Sequence, residues 1–173
     1  MRVISGIYKN RNLATPGEGT HPMGARERLA VFNILAPFLA GARVLDAFAG
    51  SGALGIEALS RGAEFVTFVE KNPRAARIIR ENLATLGVPR GKYEVITADV
   101  EKVKFLADFD IILADPPYDK FEISTVSNLV RVLKTEGIFV LSHPSMEKIE
   151  ISGLKLEKSR KYAASNIDFF GKV

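Results

Sequence analysis

The chain has 173 residues, 47% of them hydrophobic and 25% charged, with a net charge of +4 and no cysteine. That length suits one domain with a substantial core, and the missing thiols exclude disulfides, thiolate zinc sites, iron–sulfur clusters and a Cys nucleophile. No apolar run approaches the roughly 18–20 residues of a membrane helix, and Met1-Arg2-Val3-Ile4-Ser5-Gly6 lacks a signal peptide's apolar stretch, so a cytoplasmic protein without a membrane partner is expected.

In chain order, the first break is the turn-rich stretch from Thr15 to Pro22. It separates a basic segment carrying Arg2, Lys9 and Arg11 from a helical pattern with Leu29, Phe32 and Leu35 on one face. Arg43 to Phe48 reads as a buried strand, followed by a glycine-rich turn and a helix through Arg61. Phe65 to Val69 is a second strand, and Pro73 opens a helix running to about Leu86. Tyr93 to Thr97 and Phe109 to Ala114 are the third and fourth strands, the latter stopped by Pro116-Pro117. A helix near Ser124 to Leu133 leads through Gly137 to a fifth strand, Ile138 to Leu141.

Strands alternating with helices predict a mainly parallel α/β sheet. The end departs from that rhythm. Leu154 to Tyr162 and Asn166 to Phe170 are joined by Ala163-Ala164-Ser165, too close for a crossover helix, and predict an antiparallel hairpin at one sheet edge. Five parallel strands closed by a hairpin resemble the Rossmann-like class I methyltransferase arrangement. One domain over residues 1–173 is expected, with a basic N-terminal extension at about 1–40.

Gly50-Ser51-Gly52-Ala53-Leu54-Gly55 follows a strand and opens a helix, and Glu70 ends the next strand. Small residues let a cofactor approach the backbone, and a carboxylate at that spacing accepts ribose hydroxyls. Taken alone, the pattern fits an NAD enzyme, an S-adenosylmethionine enzyme or a packing turn. Asp46, four residues before Gly50, would repel a pyrophosphate but favour the ammonium and sulfonium of S-adenosylmethionine. Its reading as a helix cap is weak, because the helix begins several residues later. Asp99, after the third strand, suits either the adenine amino group or the cap of the short helix that follows.

Asp115-Pro116-Pro117-Tyr118 follows the fourth strand directly, at the edge where open α/β sheets bind ligands. The bland alternative is a proline turn. An exocyclic amine on a nucleobase is a poor nucleophile, because its lone pair is delocalised into the ring. A carboxylate and a backbone carbonyl accepting its two N–H bonds draw the nitrogen toward tetrahedral geometry. Two prolines let the Asp115 side chain and the Pro116 carbonyl converge with little ordering cost. Tyr118 offers a face for base stacking. Methylation at pyrimidine C5, which normally uses a Cys nucleophile, is disfavoured. His21 reads as a loop residue and His143 as a strand-end residue, and neither has metal-ligand spacing with carboxylates.

Charge is uneven: net +4 over residues 1–43, −3 over 44–154 and +3 over 155–173. If the ends meet, Arg2, Lys9, Arg11, Arg26 and Arg28 belong to a positive flank suited to a polyanion. A solvated surface accounts for the same pattern.

The run Val44 to Gly52, with Asp115 to Tyr118, resembles the amino-methyltransferases. The opening Arg2 to Gly6, the segment Arg26, Arg28, Phe32-Asn33-Ile34-Leu35 and the ending Arg160-Lys161-Tyr162 with Phe169-Phe170 resemble the RsmD family. These are bacterial enzymes that methylate the N2 amine of one guanine in 16S ribosomal RNA. The resemblance spans essentially the whole chain. It implies S-adenosylmethionine held by Asp46, Phe48, Gly50, Gly52, Glu70, Asp99 and Val100, and catalysis at Asp115, Pro116, Pro117 and Tyr118 without a metal. It further implies 16S ribosomal RNA or a small-subunit assembly particle as partner, and a monomer is expected. Two departures stand out: His21-Pro22-Met23 replaces the family's usual Arg-Pro-Thr, and Leu29 stands where an acidic residue is usual. The alternative is an N6-adenine DNA methyltransferase, which uses the same tetrad. Against it, 173 residues leave no room for a separate target-recognition domain. An NAD oxidoreductase or a catalytically silent RNA-binding protein would leave the tetrad without a purpose.

Overall fold

A computed structural model describes residues 1–17, 23–120, 122–145, 149–163 and 165–173. His21, and the Thr15–Pro22 turn from residue 18 onward, lie outside the described residues. The elements are α1 (Ala25–Leu39), β1 (Arg43–Asp46), α2 (Ala53–Ser60), β2 (Phe65–Glu70), α3 (Pro73–Leu86), β3 (Tyr93–Thr97), β4 (Phe109–Ala114), α4 (Ile123–Ser127), β5 (Leu133–Pro144), β6 (Leu154–Lys161) and β7 (Ser165–Lys172). Seven strands form one sheet in the order β3-β2-β1-β4-β5-β7-β6. The β1 to β5 neighbours pair in parallel, and β7 pairs antiparallel with both β5 and β6. This is a Rossmann-like sheet with the expected closing hairpin. Its order reverses between β1 and β4, which is where such sheets open a ligand crevice beyond their carboxyl ends.

Side chains alternate across the sheet, as the two-residue strand repeat requires. Val44, Phe68, Ile111 and Val140 pack with Phe32 and Leu35 of α1, Ile56 of α2 and Ile79 of α3. Leu45, Val69, Ile112, Phe139 and Leu141 pack on the other face with Val126 of α4 and Leu129. The helix α3 has a capped start and stop. Asn72 Oδ1 accepts from the N–H groups of Arg74 and Ala75, Pro73 takes the first turn, and Gly87 closes the helix at φ +70°.

Segment 1–14 is stitched to the helices. Glu57 of α2 is fully buried, yet its carboxylate accepts from Ile4 N–H at 2.8 Å, Ser5 N–H at 3.0 Å and Arg61 Nε at 2.7 Å. A buried charge needs such partners. Gly6 adopts φ +84°, and a Cβ there would lie 1.8 Å from the Ser60 carbonyl oxygen, so only glycine allows this approach. Asn82 Oδ1 accepts from Ala14 N–H, and its Nδ2 donates to the carbonyls of Ala14 and Ser51.

Three expectations are corrected. Leu29 is 41% exposed, and the buried stripe of α1 is Arg28, Val31, Phe32, Leu35 and Leu39, which is the true 3.6-residue row. The helix expected over Ser124 to Leu133 is one short α-turn to Ser127 followed by a 3₁₀ segment, Asn128–Val132. Thr125, Val126, Val130 and Val132 are β-branched and favour helix poorly. Leu133 instead opens β5, pairing with Phe109, while Ile138 pairs with Ile111 across a bulge that contains Gly137. Among the described residues no helix is long and apolar enough to cross a membrane.

Candidate active site

Three carboxylates end or follow adjacent strands of the crevice: Asp46 on β1, Glu70 on β2 and Asp115 after β4. Asp46 is 1% exposed, and its Oδ2 accepts from Gly55 N–H at 2.9 Å. Gly55 is the third residue of α2, so Asp46 caps that helix from across the turn. Sequence distance had argued against this reading; the loop folds back and brings the carboxylate to the helix start. Its Oδ1 is buried without a hydrogen-bond partner. Burial pushes the Asp46 carboxyl up to about 7; the Gly55 N–H opposes this, and the charges of Asp115 and Glu70 add to it.

The glycines divide the work of the turn. A Cβ on Gly55 would lie 2.2 Å from the Phe68 ring, so this position lets α2 rest against β2. Gly52 lies at φ +80°, in the left-handed region before α2. A Cβ on Gly50 would meet nothing within 4 Å, so that position faces open space. Glu70 Oε2 accepts from Gly50 N–H at 2.8 Å and its Oε1 from Asn72 N–H at 2.8 Å. One side chain thus ties the glycine turn to the start of α3, and a carboxylate's remaining lone pairs can still receive hydroxyl donors.

Asp99 caps the 3₁₀ segment Val100–Lys102 by accepting from Glu101 N–H, the second of its two sequence readings, with acceptor capacity left over. Val100 is buried, and Phe48 is half-buried against the same apolar cluster. The residues around the turn suit S-adenosylmethionine. An orphaned buried acceptor at Asp46 Oδ1 fits an ammonium, open space at Gly50 admits a ligand beside the backbone, and three neighbouring carboxylates favour a cationic group.

At the tetrad, Asp115 is half-buried, Pro116 buried, Pro117 exposed and Tyr118 39% exposed. Loss of hydration pushes Asp115 up to about 6; the nearby Ser142 hydroxyl and Met23 N–H work against this, and the Glu27 charge works with it. Tyr118 Oη lies 2.5 Å from Ser142 Oγ, and burial raises its phenol above the usual range. Glu27, in the first turn of α1, accepts from Gly24 N–H at 2.9 Å and from Ser165 Oγ at 3.4 Å. Sequence reading missed Met23, Glu27, Ser142 and Ser165. The signals were a hydroxyl ending the apolar run Ile138 to Leu141 and a carboxylate three residues after Gly24, where a capping box places it.

His143 is 1% exposed, between the Pro144 carbonyl and Asp168 Oδ2, away from the tetrad's side of β5. Arg28 leaves the expected positive flank. It is 2% exposed and donates Nη2 to the Arg2 carbonyl, so it cannot serve a phosphate in solvent. Concavities at Phe38, Asp110 and Lys134, and along residues 149–156, lie away from Asp46 and Asp115.

The family model described as "Conserved hypothetical protein 95" matches residues 1–171. The chain belongs to this family, the RsmD family of methyltransferases. It is 33% identical over 183 residues to the Bacillus subtilis protein YlbH, covering 99% of each. It is 37% identical over 123 residues to the ribosomal RNA small subunit methyltransferase D of Haemophilus influenzae, covering 68% of this chain and 64% of that relative. The solved structure of yhhF from Escherichia coli superposes with TM-score 0.89 at 27% identity, covering 99% of this chain and 97% of that one.

Proposed function

We propose that this RsmD-family chain transfers the methyl group of S-adenosylmethionine to the exocyclic N2 amine of a guanine in 16S ribosomal RNA of the small subunit. The observation that carries the reading is the adjacency of the Asp115–Tyr118 tetrad to the carboxylates of Asp46 and Glu70 at the strand-order reversal. When bound, S-adenosylmethionine supplies a methyl group on a sulfonium. Asp46 receives the ammonium of its amino-acid end, Glu70 the ribose diol, and Asp99 with Val100 the adenine end. Asp115 and the Pro116 carbonyl accept the two N–H bonds of the target amine, and the exposed face of Tyr118 stacks on the base. Relatives named as ribosomal RNA methyltransferases support RNA over DNA as the polymer.

The test is incubation of the protein and labelled S-adenosylmethionine with small-subunit particles and naked 16S RNA from cells lacking it, followed by mapping of the label. Label on a guanine N2 is expected; label on adenine alone, or on neither RNA substrate, overturns the reading. Asp115→Ala should lower the single-turnover rate by at least about 10- to 150-fold while cofactor affinity changes little. Lost cofactor affinity in that variant would move Asp115 into the S-adenosylmethionine site.

A further inference from the structure

The net charge of the middle of the chain conceals a basic face. Residues 44–154 are net −3, yet the stretch 71–98 within them carries six basic and two acidic side chains, net +4. Lys71, Arg74, Arg77 and Arg80 are all exposed, just before α3 and along its outward side. Arg80 is turned onto the edge strand β3, its Nη2 donating to the Val95 carbonyl and to Thr97 Oγ1. Arg77 meets Glu81 at 2.8 Å, an open surface pair of little strength that leaves its charge within reach of a larger anion. Among the described residues, nothing is hydrogen-bonded or ion-paired to the Lys71 ammonium or the Arg74 guanidinium.

Helix stability does not call for these charges. A helix start carries partial positive charge and favours acids, whereas a helix end favours bases. In α3 the arrangement is reversed: Arg74 is the second residue, the first turn has no acid and the last turn no base. The Arg77–Glu81 pair is also in the weaker order, with base before acid. S-adenosylmethionine, with its ammonium and sulfonium, gains nothing from added cations. The position of the ridge does have a use. Glu70 Oε1 accepts from Asn72 N–H, so Lys71 stands between a site carboxylate and the cap of α3. The strand before it, β2, is two places from β4, the strand that Asp115 follows, or about 10 Å across the sheet. We propose that the start of α3 is an RNA-docking ridge, in which Lys71, Arg74 and Arg77 hold backbone phosphates flanking the target nucleotide on the β2 side of the site. The inference rests on the RNA substrate proposed above. Such contacts fix register without reading sequence, so the ridge presents the base to Asp115 rather than selecting it.

The test compares two charge-matched variants of the whole protein, binding naked 16S RNA across a salt series. Lys71→Gln with Arg74→Gln removes two charges at the site edge. Arg90→Gln with Lys92→Gln removes two at the far end of the same α3–β3 unit, where β3 begins. The first pair should reduce the log–log salt slope by about 1.4 to 1.8 units and raise the RNA concentration for half-maximal methylation. The second should leave both near wild type. Lys71→Arg with Arg74→Lys keeps the charge and should keep the slope. The dissociation constant for S-adenosylmethionine should be the same in all of them, and a defect traced to weaker cofactor binding overturns the proposal. An unmoved slope in the first pair overturns it too, as do equal changes from the two pairs. A defect seen with small-subunit particles but not with naked RNA also overturns it, and points to a protein of the particle. If RNA binding depends on the first pair while the wild type methylates no RNA, the methyl-transfer reading fails and the docking ridge stands.

Discussion

Asp46 combines two demands that conflict. It caps α2, and its second oxygen is buried unpaired, with the carboxyl pushed up to about 7. An unfolded Asp titrates near 3.9, so from about pH 4 to 7 the folded protein retains a proton that the unfolded chain has released. The unfolded state therefore binds fewer protons in that window, and stability falls as pH rises through it. Asp46→Asn removes the group and should be more stable than wild type at pH 8, by up to about 4 kcal/mol, with the difference vanishing toward pH 4. Urea unfolding at the two pH values checks this; parallel pH dependence in both proteins would refute it. Glu70 differs, because both its oxygens already hold the backbone of the glycine turn and of α3. Glu70→Ala should weaken S-adenosylmethionine binding by about 10- to 150-fold by calorimetry, through lost diol contacts and a loosened turn together.

Local chemistry decides how well each element is delimited. Asn72, Pro73 and Gly87 mark the ends of α3, and Asn72→Ala should cost about 1 kcal/mol in thermal or urea unfolding through loss of the cap. Where such signals stood, the sequence was legible: β3, β4 and α3 have the expected bounds, and the short Ala163–Ser165 joint already required an antiparallel pair. The α4 region was not legible, because a mixed run of Val, Thr and Leu fits helix, 3₁₀ and strand equally until pairing with Phe109 decides for Leu133. The site shows the same division. Asp46, Glu70 and Asp115 lie on or next to strand ends and could be placed by counting. The groups that tune Asp115 come from residues 23, 27 and 142, brought near it only because the start of α1 and the end of β5 meet at the same sheet edge, a relation no local spacing records.

At the scale of the molecule, Lys9 and Arg11 do not join the basic residues of the closing hairpin in one flank. Tyr8 N–H bonds Ser60 in the last turn of α2, and Arg11 Nη2 bonds the Thr85 carbonyl near the end of α3. Lys9 and Arg11 therefore sit toward the edge opposite Asp115. Arg160 and Lys161 lie at the Asp115 edge, since Ile167 pairs with both Arg160 and Ser142, and Asn166 with both Lys161 and His143. Replacing Arg160 and Lys161 with Gln should reduce the log–log salt slope of RNA binding by more than the same change at Lys9 and Arg11. Equal slopes from both pairs, measured by filter binding or anisotropy, would return the basic ends to a diffuse surface.

Asn82 carries a consequence for the integrity of the chain. Its amide is the meeting point of Ala14, from the first segment, and Ser51, in the middle of the glycine turn. Clipping by a protease between Ala14 and Thr15 would release the segment that makes two of its three hydrogen bonds and leave a nearly buried amide short of partners beside the turn. Damage at that joint would thus register first as a drifting glycine turn, before the sheet itself lost order.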